Sequence, residues 1–156
     1  MPDPDAPQQA ARPPLRILQV ITELAPAGAE RVVHHLATGL TYRGHAVCVA
    51  NLFDRTPRQP DVGDELTATG IELVRLGMTS KRDVGVLLRL ARLIRRFNPH
   101  ITHSHLWHAD QAVRLATRLI PRPRPAIVST VHIADQRDVG WRFAIDRLTS
   151  RFCDRT

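Results

Sequence analysis

The stretch LRILQVITELAPAGAERVVHHLATGL, residues 15–40, decides how the fold is read. LRILQVI is a near-continuous apolar run rich in β-branched side chains, as expected of a strand covered on both faces. It stops in TELAPAGA, where Pro26 and Gly28 interrupt regular structure. Val32, Val33, Leu36 and Leu40 then recur at helical spacing, and Gly44 after Arg43 supplies a C-terminal stop. A buried strand passing through a short loop into an amphipathic helix is the opening of a parallel βαβ unit.

The alternation continues along the chain. AVCVANL (46–52) reads as a second strand, and a proline-rich loop leads to a short helix over 62–69. Gly70 opens a third strand, IELVRL (71–76). Asp83 is placed to cap a helix over 83–97, with Val84, Leu87, Leu88, Ala91 and Ile94 as its apolar stripe and Asn98-Pro99 as its end. HITHSHL (100–106) is a fourth strand and HADQAVRLATRLI (108–120) the helix behind it. After the breaker PRPRP comes a fifth strand, AIVSTVH (126–132). A last helix from about Val139 is expected to turn Trp141, Ile145 and Leu148 inward. Five such strands with helical crossovers predict an α/β, Rossmann-like doubly wound parallel sheet with helices on both faces, in order 3-2-1-4-5. Residues 1–14, polar and proline-rich, read as a disordered lead-in, and 15–156 as one domain.

Composition narrows the chemistry. A chain of 156 residues suits one domain with a packed core. Cys48 lies in an apolar run and neither cysteine belongs to a C-x-x-C pattern, which points to a reducing cytoplasm. No apolar run approaches the ~18 residues of a membrane span. The net charge of +7 is carried almost wholly by arginine, Lys81 being the only lysine, and invites an anionic partner. Nucleic acid is not expected, since aromatic residues for stacking are few and no binding module is recognisable. The helix over 83–97, with Arg89, Arg92, Arg95 and Arg96, reads either as a packed helix with a solvated basic face or as a peripheral contact for an anionic membrane surface.

Doubly wound sheets bind ligands at the carboxyl ends of their strands, near the switch point between strands 1 and 4. That rule selects TELAPAGAE, HSHLWHAD (103–110) and STVHIAD. Gly28 permits close backbone approach, and the helix start behind it offers unpaired N–H groups to an anion. Glu30 serves either the helix dipole or a substrate. His103, His105 and His108 have an H-x-H-x-x-H spacing, and His103 and His105 share one face of their strand. They read as zinc ligands completed by His132 or Asp110, as substrate contacts, or as packed strand-end histidines. Metallo-β-lactamase-like hydrolases carry H-x-H-x-D-H, and here Trp107 takes the place of that aspartate, so no metal is expected. Dinucleotide binding is not expected either, because APAGAE lacks the G-x-G-x-x-G fingerprint and Asn51 stands where strand 2 would end in an acid.

Taken in order, RILQVITELAPAGAERVVHHLATGL, YRGHAVCVANL, GIELVRL, LARLIRRFNPHITHSHLWHADQAVRLA and IVSTVH resemble the N-terminal domain of family 4 (group 1) retaining glycosyltransferases of GT-B fold. The resemblance runs from about Leu15 to the closing DRLTSRFCDR. It implies two Rossmann-like domains across a cleft, the first holding the acceptor and the second, absent from this sequence, the sugar nucleotide. It implies substrate contacts at Ala27, Gly28, Ala29, Glu30, His105 and His108, and a catalytic role for His132, within Thr130-Val131-His132, beside the reacting sugar. It implies transfer through an oxocarbenium-like state with cationic groups on the leaving diphosphate, and no protein-bound metal. Two departures stand out: Ala27-Gly28 where the family commonly has paired glycines, and Ile133 where Asn or Gly often follows the histidine.

The sequence is thus read as the acceptor-binding domain of an enzyme building a glycan or glycolipid, inactive without its donor domain. No cofactor is held tightly, and the sugar nucleotide is a co-substrate only of the complete two-domain enzyme. Its expected partners are a sugar, glycolipid or polysaccharide acceptor and a C-terminal donor domain in trans. The expected location is the cytoplasm, at the inner membrane face if helix 83–97 docks there. The alternatives are a stand-alone Rossmann-like module binding a phosphorylated or lipid ligand and, behind it, a zinc-dependent hydrolase.

Overall fold

The computed structural model describes residues 13–25, 27–53, 62–80, 82–130 and 140–154, and for 140–143 the backbone alone. Five strands, β1 (Arg16–Ile21), β2 (Ala46–Asn51), β3 (Glu72–Arg75), β4 (Ile101–His105) and β5 (Ala126–Thr130), form one parallel sheet in the order β3-β2-β1-β4-β5. The helices are α1 (Gly28–Tyr42), α2 (Val62–Ala68), α3 (Gly85–Phe97), α4 (Trp107–Ala116) and α5 (Gly140–Thr149). The Rossmann-like sheet expected from the apolar runs is the sheet observed. α4 is shorter than its periodicity suggested, because Thr117–Leu119 tighten into a 3₁₀ turn. Val131 and His132, read as the end of the fifth strand, lie outside the described residues, as do residues 1–12 of the lead-in.

Register assigns each side chain to a face. Gln19 pairs with Val49 and His103, and Ile21 with Asn51 and His105, so these residues share the face that α1 and α2 cover. Leu18, Val20, Cys48 and Ala50 point the other way, into a core completed by Leu90 and Ile94 of α3 and Ala109 and Val113 of α4. The first face has its own core, with Ile21, Val47 and Val49 against Val33 and Ala37 of α1 and Leu66 of α2. Arg31 and Glu65 join α1 to α2 at 2.5 Å. Burial on both faces is why these strands carry so few charges.

Two helices face differently from expectation. On α3 the buried residues are Val86, Leu90, Ala91, Leu93 and Ile94, while Val84 and Leu88 are 76% and 51% exposed. The helix starts at Gly85 rather than Asp83, whose carboxylate is drawn instead to Arg89 at 2.6 Å and to the Thr79 N–H at 3.2 Å. Arg89 is itself turned inward, donating to the carbonyl of Leu76 at 2.7 Å, and Arg96 pairs with Glu72. On α5, Ile145 and Leu148 are exposed and the inward positions are Asp146 and Thr149. The reason is polar: the nearly buried Arg114 of α4 donates to Asp146 and Thr149, each at 2.9 Å, and Gln111 donates to Asp146 at 2.8 Å. Pairing the Nη1 of that buried guanidinium sets the rotation of α5. The side chain of Trp141 lies outside the described residues.

Candidate functional site

At the carboxyl end of β1 the chain enters α1 without a side-chain cap. Ala27, the residue before the helix, is extended (φ −142°, ψ −172°) and has no capping group. The first amide to bond backward is that of Arg31, to the Ala27 carbonyl at 3.2 Å. The N–H groups of Gly28 and Ala29 have no partner among the described residues. A Cβ at Gly28 would meet nothing within 4 Å. Packing therefore does not demand glycine at 28; its absence of a side chain leaves the two amides open to approach. Ala29, half-buried, packs on the core below.

Glu30, in the first turn of α1, is 4% exposed, and its Oε2 has no hydrogen-bond partner among the described residues. Burial pushes its carboxyl above the ordinary glutamate range; its own backbone N–H opposes this, and nearby Glu23 adds to it. Other buried polar atoms without partners lie on the same side: Gln19 Nε2 on β1, Thr22 Oγ1 just after it, and Asn51 Oδ1 at the end of β2. Native interiors leave few such atoms open. Four of the buried atoms left open among the described residues thus lie toward the carboxyl edge; others, such as Thr38 Oγ1 and Thr102 Oγ1, lie elsewhere.

The histidines of β4 form a crossed pair. His105 is fully buried, its Nε2 2.7 Å from Gln19 Oε1, and the Nε2 of His103 lies 2.7 Å from Thr130 Oγ1. Their rings meet with centroids 4.1 Å apart and planes tilted by 41°. One nitrogen thus serves β1 and the other β5, on either side of β4. His105 is enclosed by this arrangement, and His103 is the more accessible ring of the two. His108, half-buried in the first turn of α4, meets Trp107 edge-on at 5.1 Å.

Asp110 stands on the other side of the sheet, near Ser104 and Ser129, whose side chains alternate away from His103 and His105. It does not join the histidines as the zinc reading required. Among the described residues no group of three or more His, Cys, Asp or Glu side chains is placed to hold a metal ion. Burial raises the Asp110 carboxyl to about 6, against hydrogen bonds from Ser104 and Ser129 and the attraction of Arg114. His132, expected beside the reacting sugar, lies outside the described residues.

Between His105 and α4, Leu106 has φ 72° and ψ 150°, a region where L-residues are strained by about 1–3 kcal/mol. The strained peptide sits at the switch point between β1 and β4. Gln19 and Thr22 were not singled out from sequence, and Asn51 only as the residue in place of an acid, although a glutamine inside LRILQVI carries a signal. A polar side chain in a strand covered on both faces must find a partner.

The model of the family described as Glycosyltransferase Family 4 matches residues 26–156. The chain belongs to glycosyltransferase family 4. Solved structures agree on the fold of this family 4 chain. A glycosyltransferase from Rickettsia africae superposes with a TM-score of 0.67 at 20% identity, covering 88% of this chain and 35% of its own. Anabaena HepE, solved in complex with UDP and glucose, gives 0.68 at 14% identity, covering 89% of this chain and 36% of its own. The fold is the Rossmann-like N-terminal domain of a GT-B glycosyltransferase, and the family 4 chain spans little more than a third of the length of these structures. No curated protein sequence matches it significantly. No helix among its described residues is long and apolar enough to cross a membrane.

Proposed function

We propose that this chain is the acceptor-side domain of a sugar-nucleotide-dependent glycosyltransferase that builds a glycan or glycolipid, working with a donor-binding domain supplied in cis or in trans. The observation that carries the reading is Glu30: a buried carboxyl with an open oxygen, beside two unpaired amides, at the edge where doubly wound sheets bind ligands. An acceptor hydroxyl donating to Oε2 would complete that group, and the amides of Gly28 and Ala29 suit a phosphate or ring oxygen. His103 and His108 border the acceptor, and His105 acts by fixing Gln19 and His103 in place. His132 takes its role beside the reacting sugar from the family resemblance alone. The UDP and glucose of the Anabaena structure support a sugar nucleotide as co-substrate. The exposed stripe of Val84, Leu88, Arg92 and Arg95 on α3 supports peripheral contact with an anionic membrane face in the cytoplasm.

Joined to a family 4 donor-binding domain, the chain is expected to turn over sugar nucleotide, and alone to give none. Glu30→Gln in that fusion should lower kcat/KM for the acceptor at least ~10-fold, the effect of losing one charge-assisted hydrogen bond. The same change should raise thermal stability at neutral pH, because it removes a buried charge. Unaltered turnover would take Glu30 out of the site. A folded fusion inactive with every sugar nucleotide and acceptor tried would overturn the transferase reading.

A further inference from the structure

A second concentration of chemistry lies at the opposite end of the sheet, where β5 begins. The turn from α4 into β5 and the segment after α5 enclose a pocket of about 420 Å³. Arg118, Arg122, Arg124, Arg151, Phe152 and Asp154 are among its lining residues. The Arg118 guanidinium lies 3.8 Å from the centre of the Phe152 ring, and that of Arg151 lies 5.0 Å from it. Stacking uses the face of a guanidinium and leaves its N–H edge available. Arg124 is held from behind, its Nε donating to the Ile120 carbonyl at 3.2 Å and an Nη to that of Arg118 at 3.4 Å. Asp154, the one acid of the wall, has an oxygen committed to the Ile127 N–H at 2.8 Å. Among the described residues none of the four arginines forms an ion pair with a carboxylate.

Four cations gathered around one concavity repel each other, and a compact polyanion reverses the sign of that energy. Planar guanidinium forks match phosphate oxygens two at a time, which a concave wall allows from several directions at once. At about 3.3 Å per residue, the length of β5 separates this pocket from Thr130 by about 15 Å. We propose that the pocket binds a phosphate-bearing anion of diphosphate size, at a site distinct from the acceptor cleft. A free diphosphate compound and a phospholipid headgroup present the same chemistry to it.

The test is calorimetric titration of the 156-residue chain with inorganic pyrophosphate at low ionic strength, for the wild type, Arg122→Gln/Arg151→Gln and Arg43→Gln/Arg82→Gln. All four substitutions are at exposed positions and the two variants lose equal charge. The pocket variant should bind at least ~10-fold more weakly than wild type, and the Arg43/Arg82 variant within about 2-fold of it. Sedimentation with phosphatidylcholine vesicles, with and without phosphatidylglycerol, separates the sources. Anionic-vesicle binding that pyrophosphate displaces and the pocket variant lacks assigns the headgroup; vesicle binding indifferent to both assigns a free compound. Non-saturable pyrophosphate binding, or equal weakening in the two variants, would overturn the site.

Discussion

At the amino ends of the strands, histidines close the backbone. His45 Nδ1 accepts the Leu15 N–H at 3.3 Å, His100 Nδ1 accepts that of Arg16 at 2.9 Å, and Arg16 Nε donates to the Asn98 carbonyl at 2.6 Å. At the carboxyl ends, Gln19 Nε2, Thr22 Oγ1, Glu30 Oε2 and Asn51 Oδ1 are buried and open, and Leu106 holds a strained φ of 72°. The sheet thus closes backbone groups with side chains at its amino edge and, among the described residues, leaves several buried side-chain atoms open near its carboxyl edge, with Thr102 Oγ1 a further open atom toward the amino end of β4. Open buried groups cost stability, so a protein that keeps several together gains something else from them. Under the proposed function, that gain is a surface prepared for a polar acceptor.

The sharpest way to break this contrast is at the fully buried pair of the carboxyl edge that is closed, Gln19 with His105. His105→Ala should cost about 3 kcal/mol in urea unfolding, since it empties a buried site and strips Gln19 of its partner. Replacing both residues by leucine should cost far less, because no buried polar group is then abandoned. A single mutant within about 1 kcal/mol of wild type would mean that the pair is not a structural anchor.

A smaller effect separates Asp110 from the rest of that edge. Its carboxyl stands at about 6 in the folded chain against a reference of 3.8, so the folded state binds the proton more tightly. Its stabilising contribution is then complete below about pH 4 and is lost as pH rises through about 6. Asp110→Asn should flatten that part of the stability profile between pH 4 and 7, as read by denaturant titration at each pH. A profile of the same slope would assign the titration to another group.

The smallest change is expected at the amino edge. His100→Ala removes an exposed acceptor whose place water takes, and should cost only about 0.5 kcal/mol. A loss as large as that of His105→Ala would erase the distinction between the two ends.

Much of the architecture was legible in the sequence. Strands covered on both faces are written as unbroken apolar runs, and short helical connections impose parallel pairing, so element order and strand order followed from LRILQVI onward. The carboxyl edge was legible for the same reason, since the position of a ligand site in such sheets follows from topology. Helix rotation was not. α3 offers apolar residues on more than one side, and Val84 and Leu88 were separated from Leu90 and Leu93 only by where the sheet lies. α5 was turned by the requirement of Arg114 for Asp146, a partner 32 residues away.

The histidines show the same division. Period two alone put His103 and His105 on one face and Ser104 on the other. Only the folded sheet brought Gln19 within 2.7 Å of His105 across 86 residues and set Asp110 on the opposite side with Ser104 and Ser129. Sequence by itself determined the fold and its strand order, because both depend on local patterns of burial and chain connection. Tertiary structure decided which polar groups are closed and which stay open, because a buried hydrogen bond depends on distances that no single segment contains.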